Sequence, residues 1–101
     1  MASPTYELLS LLIPFGRENA IPRRELAERL GTSDREMRKM IEQVRGEGMF
    51  ILNDQSGAGY YRSTDLAELK RQYDMDTSRA LKILARRRHI RNALKAAGVR
   101  V

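Results

Sequence analysis

Apolar residues recur along this chain with a helical period in most stretches, and in one they form short runs of strand formers. Leu8, Leu9, Leu12 and Ile13, at i, i+1, i+4 and i+5, predict a helix with a broad buried face. Ser3 supplies its cap, and Pro4 opens it where a missing N–H costs nothing. Pro14 and Gly16 end it, with Phe15 between them expected on the core. A polar loop, Arg17-Glu18-Asn19, leads to Ala20-Ile21, which suits a brief strand. Leu26, Ala27 and Leu30 then mark a second helix, opened by Pro22 and closed by Gly31, where a helix ends most easily with positive φ. Ser33 caps a third, with Glu36 completing a capping box. Met37, Met40, Ile41 and Val44 are its apolar face, and Gly46 and Gly48 mark its end.

Phe50, Ile51 and Leu52 are strand formers, residues 53–59 are rich in turn formers, and Tyr60, Tyr61 and Arg62 return. That is a short β-hairpin. From Ser63 a long helix follows, with Thr64 or Asp65 as cap and Gly98 as its end. Leu66, Leu69, Tyr73, Ala80, Ile83, Ile90, Leu94 and Ala97 alternate at spacings of three and four. On that heptad seam Asp76 and Arg87 hold the two positions without an apolar residue. At about 33 residues the helix would be roughly 50 Å long. Either it continues, straight or mildly kinked, and pairs with another chain, or it breaks near residues 74–76 with Asp76 capping a new helix at Thr77; continuity is favoured. The chain thus divides into residues 1–62 and a basic helical segment, 63–101.

The expected fold is mainly α with a small β-hairpin. Spacing refines it. A helix-turn-helix needs a small residue where its helices cross, a Gly in the turn four positions later, and apolar residues that seat the second helix. Ala27, Gly31, Met37 and Met40 fill those places; an ordinary helical hairpin is the plainer alternative. The ELAERLGTSDREMRKMIEQVRGEG block and the ILNDQSGAGYY hairpin resemble the winged helix-turn-helix domains of bacterial and phage regulators, of the biotin-repressor-like type. A short winged helix followed by one long basic helix also resembles small proteins encoded by phages and integrated elements. The resemblance implies a winged helix-turn-helix plus a long C-terminal helix. It also implies a sequence-selective double-stranded DNA-binding protein, acting in transcription regulation or in replication or segregation. The alternative is a protein-binding winged-helix adaptor or inhibitor from a phage, since such folds also bind proteins.

Charge sharpens this picture. The net formal charge is +6. Residues 1–76 carry eleven Lys and Arg against thirteen Asp and Glu, whereas residues 77–101 carry eight basic residues and no acidic one. A polyanion partner is favoured, and the excess that attracts it lies entirely in the last quarter. There is no Cys and one His, His89, so neither thiolate chemistry nor a His-based metal cluster is expected, and no convergent enzyme site is visible. Asp74 and Asp76 read better as a cap or a solvated face than as a metal pair. No cofactor or small-molecule substrate is indicated. No apolar run approaches the roughly 20 residues of a membrane span, and the N-terminus lacks a basic signal-peptide region, so the chain reads as cytoplasmic.

The candidate reader is the helix over about 34–47. If its apolar face is inward, Ser33, Asp34, Arg35, Arg38, Lys39 and Glu42 face outward. Arg35 and Arg38 suit guanine edges, because Arg offers two donors at once. Lys39 suits phosphate, as do the hydroxyls of Thr32 and Ser33 and the first N–H groups of the helix. Asp34 and Glu36 oppose this by repelling phosphate; alternatively these charges are a solvated face with Arg38 paired to Glu42. The hairpin tip, Asp54-Gln55-Ser56-Gly57, offers no cation before Arg62, which argues against contact by the wing. The C-terminal cluster comprises Arg79, Lys82, Arg86, Arg87, Arg88, Arg91 and Lys95, with Arg79, Lys82, Arg86 and Lys95 read as one broad face. Seven neutralised phosphates would give a log–log salt slope near −6. Arg79, Lys82, Arg86 and Arg88 are the expected phosphate contacts, and the seam makes a homodimer through this helix the expected assembly.

Overall fold

The computed structural model of the chain describes residues 2–54, 56, 57 and 59–101. It is mainly helical: α1 (Pro4–Leu12), a 3-10 turn (Arg17–Asn19), α2 (Arg23–Leu30), α3 (Asp34–Gly46), β1 (Ile51–Asn53), β2 (Tyr60–Arg62) and α4 (Leu66–Ala96). The chain forms two compact units, residues 1–69 and 70–101.

Local sequence explains the helix ends of the first unit. Ser3 Oγ accepts the Tyr6 N–H at 3.1 Å with Pro4 as the first helical residue, so α1 starts where its cap predicts. Pro22 occupies the cap position of α2 rather than its first turn. Gly31 closes α2 at φ 67°, ψ 30°, a left-handed conformation that a side chain disfavours, and the Thr32 N–H returns to Ala27 O at 3.1 Å. Ser33 Oγ accepts the Glu36 N–H at 3.1 Å, and α3 begins.

Leu9, Ile13, Leu26, Met37, Ile41 and Val44 are fully enclosed. They come from α1 and its C-cap residue Ile13, from α2 and from α3, so the core is the packing of these three helices, closed by Ile21, Met49, Ile51 and Tyr60; Leu52 and Tyr61 are buried outside that cluster. Leu12, Leu30 and Met40 are half-buried against it. Leu8 and Phe15, expected inside, are exposed. Phe15, 53% accessible, lies outside the core with the Arg62 guanidinium stacked 4.2 Å from its ring centroid. The same guanidinium donates to Ile13 O at 3.0 Å and Ser10 O at 2.8 Å. It therefore satisfies carbonyls that the end of α1 leaves without intrahelical donors.

β1 and β2 pair antiparallel, with Ile51 opposite Arg62 and Asn53 opposite Tyr60. Phe50 precedes the strand and is exposed. The brief strand expected at Ala20-Ile21 is a single bridge: Ile21 and Tyr60 exchange N–H···O bonds of 2.8 and 2.9 Å. Gly59, at φ 126°, makes this approach possible, because a Cβ there would overlap the Ile21 carbonyl. Asp54 holds the hairpin turn, accepting the Ser56 N–H at 3.1 Å and its hydroxyl at 2.9 Å, with Arg17 Nε at 3.0 Å. The Ser56 bonds, then Arg17, keep the Asp54 carboxyl below the usual carboxylate range. Gln55, expected at the tip, lies outside the described residues.

Asp65 caps α4, its Oδ1 accepting the Ala67 N–H at 3.1 Å. Glu68 ties this first turn to the hairpin: Tyr61 OH donates to it at 2.6 Å and the buried Ser63 Oγ at 2.9 Å. α4 runs without a break through residues 74–76. Asp76 caps nothing; it accepts from Gln72 Nε2 at 3.0 Å, one turn back. Beyond Leu69 the helix buries no side chain, and its end is closed by Val99 N–H to Leu94 O at 2.9 Å.

Candidate nucleic-acid interface

α3 is a two-faced helix. Met37, Ile41 and Val44 are fully buried and Met40 half-buried, so its rotation is fixed by the core. The opposite face presents Arg35, Arg38, Lys39 and Glu42 to solvent, as the 3.6-residue period requires. Ser33 is exposed at the N-terminal end, beside the first free N–H groups. Thr32, expected at a phosphate, stands differently. Its Oγ1 is buried without a hydrogen-bond partner among the described residues, and its N–H is spent on Ala27. Thr32 therefore belongs to the turn between α2 and α3.

The charges on this face pair locally. Asp34 Oδ2 lies 2.9 Å from Arg23 Nη2 at the start of α2 and 3.0 Å from Arg38 Nε. Asp34 thus links both helices and takes Arg38 as its i,i+4 partner; the pairing of Arg38 with Glu42 does not form. Glu42 instead lies 3.4 Å from Arg45, and Lys39 lies 3.4 Å from Glu36. Arg38 keeps 59% of its side chain accessible, so it pairs with Asp34 on one side and leaves its outer face open to water. Arg35 has no ion pair among the described residues. Such exposed pairs are worth about 0–1 kcal/mol, so a phosphate or base edge can replace them at little cost.

Sequence reasoning missed the two arginines that brace this unit. Arg45 Nε and Nη2 donate to Ile51 O at 3.1 and 3.0 Å, and Nη2 also to Asn53 Oδ1 at 3.1 Å, fixing the hairpin to the end of α3. Arg62 does the same at the end of α1. Both had the look of surface cations; only the tertiary position of the carbonyls they meet distinguishes them. At the same end of α3, Ser3 Oγ donates to the C-cap residue Glu47 at 2.6 Å, which with Gln43 lowers that carboxyl from its ordinary value.

Arg79, Lys82, Arg86 and Arg88 lie on the second unit, all exposed and without an ion pair among the described residues. Helical phase brings Arg79, Lys82 and Arg86 together. At about 100° per residue Lys95 falls opposite Arg86, so it does not share that face. Among the described residues no three His, Asp or Glu side chains converge as metal ligands, and no helix is long and apolar enough to cross a membrane. Compared with known proteins, the chain matches no family model, no curated protein and no solved structure.

Proposed function

We propose that this protein is a winged helix-turn-helix DNA-binding protein that reads duplex sequence with α3 and gains general affinity from the basic part of α4. The observation that carries the reading is the exposed Arg35, Arg38 and Lys39 surface on a helix locked from behind by Met37, Ile41 and Val44. A rigid helix with forked donors on its N-terminal half is what direct readout in the major groove requires. Ser33 and the first N–H groups of α3 are suited to a flanking phosphate. Arg79, Lys82, Arg86 and Arg88 supply charge that no acidic neighbour after Asp76 cancels. A role in regulation or replication, on a phage or mobile element, is the biological setting this reading suits.

The second reading, a protein-binding adaptor or inhibitor, is favoured by one observation: Asp34 and Glu36 each hold one of the cations on the α3 face. Selection of duplexes from a random pool, followed by binding at two salt concentrations, separates the readings. The DNA reading expects an enriched sequence, with Arg38→Ala weakening that sequence selectively. Arg86→Ala with Arg88→Ala should weaken all sequences alike and reduce the salt slope by about 2. No affinity for any duplex at low salt refutes the DNA reading and leaves the adaptor.

A further inference from the structure

Residues 73–90 of α4 carry a heptad seam that is solvent-exposed in the single chain. Tyr73 is 68% accessible, Ile83 47% and Ile90 61%, with Ala80 between them. The two polar members of the seam, Asp76 and Arg87, have opposite charges and sit symmetrically about the point between residues 81 and 82. Among the described residues Asp76 carries only the exposed bond from Gln72, and Arg87 has no ion pair.

We infer that this seam is the interface of an antiparallel homodimer in which Asp76 of each copy pairs with Arg87 of the other. A two-fold axis between residues 81 and 82 stacks Tyr73 on Ile90, Asp76 on Arg87 and Ala80 on Ile83, each layer repeated by symmetry. Every layer is then either apolar or an opposite-charge pair, and the small Ala80 faces a large branched side chain. Parallel pairing sets Asp76 on Asp76 and Arg87 on Arg87, two like-charge layers in a desolvated seam. Sliding the antiparallel pair by one heptad in either direction seats both charges on apolar side chains. One register alone satisfies both polar residues, so the charges specify orientation as well as partner. On the flanks, Thr77 meets Leu84 on one side, while Arg79 meets Arg86 on the other, where water and salt screen the repulsion. That second flank gathers Arg79 and Arg86 from both copies into one cationic strip.

The inference does not depend on DNA binding, and its test contains no DNA. Sedimentation of the full chain at high micromolar concentration is expected to give a dimer. Asp76→Arg alone, or Arg87→Asp alone, should raise the dissociation constant at least about 100-fold, since each places like charges opposite each other in two layers. The double charge swap, Asp76→Arg with Arg87→Asp, should restore the dimer, because the antiparallel pairs re-form with reversed sense. Since the chain has no Cys of its own, Tyr73→Cys mixed with Ile90→Cys should oxidise to the mixed disulfide. Tyr73→Cys alone should not cross-link, its two copies lying roughly 25 Å apart along the helices. Far-UV dichroism of each variant checks that the helix is retained. A wild-type monomer, a swap that fails to restore the dimer, or a Tyr73→Cys homodisulfide would overturn the inference.

Discussion

Replacing Gly59 by Ala tests how the hairpin is fastened to the helices. The residue sits at φ 126°, and an added Cβ would overlap the Ile21 carbonyl and come within 2.8 Å of Pro22 Cα. The obstacle is backbone, so no rotamer relieves it. Relief requires the Ile21 and Tyr60 backbones to separate, breaking their bonds of 2.8 and 2.9 Å. The conformational strain is about 1–3 kcal/mol, and each lost bond adds about 1 kcal/mol. The expected loss is therefore about 3–5 kcal/mol, a large share of the 5–15 kcal/mol typical of a domain. Gly31→Ala is the matched control. Gly31 also has positive φ, but a Cβ there meets nothing within 4 Å, so only strain of about 1–2 kcal/mol is expected. Urea unfolding followed at 222 nm, with midpoints compared at a common slope, measures both. Equal destabilisation by the two substitutions would refute the argument that the Gly59–Ile21 approach holds the hairpin in place.

Other expectations follow from the same contacts. Arg62→Met should cost about 2–3 kcal/mol in urea unfolding, because Ile13 O and Ser10 O each lose a charged donor. Phe15→Ala, which removes only the stacking partner on the exposed side, should cost under about 1 kcal/mol. The Asp54 carboxyl is held below its ordinary value by Ser56 and Arg17, so its contribution to stability is complete above the unfolded carboxylate pKa of about 3.9. That contribution is lost as pH falls through the lower folded value. Thermal melts should show the wild type losing more stability than Asp54→Asn between about pH 5 and pH 2; parallel profiles would exclude Asp54 as a contributor.

Helix ends were the most legible part of the fold, because their causes are local. Ser3-Pro4, Gly31 and the Ser33 cap act within one turn of themselves, and the structure uses each of them; of the expected capping box only the Ser33 half forms among the described residues, the Glu36 carboxylate lying with Lys39 instead. The buried face of α3 was legible for the same reason: Met37, Ile41 and Val44 follow the helical period. Contacts set by tertiary position were not legible. Arg62 stacking on Phe15, Arg45 reaching Ile51 O, and Glu68 joining Tyr61 to Ser63 depend on where distant segments meet. On the candidate site, periodicity identified which residues face outward but not how they pair. Arg38 pairs with Asp34, four residues before it, rather than with Glu42, four after; Asp34 is also held by Arg23 from α2, a neighbour that spacing within α3 does not reveal. The hydroxyl of Thr32 likewise looked available until the turn enclosed it. The symmetry of Asp76 and Arg87 was present in the sequence throughout. Its meaning emerged only with a continuous helix and an exposed seam.

The central claim is that α3 reads DNA sequence, and Arg38 is its most direct test. The measurement is the affinity of wild type and Arg38→Ala for the duplex enriched by selection and for a scrambled duplex of the same length. The account predicts a loss of about 1–3 kcal/mol on the enriched duplex. Affinity for the scrambled duplex, carried by the cations after Thr77, should be nearly unchanged. Equal losses on both duplexes, or none on either, would contradict it.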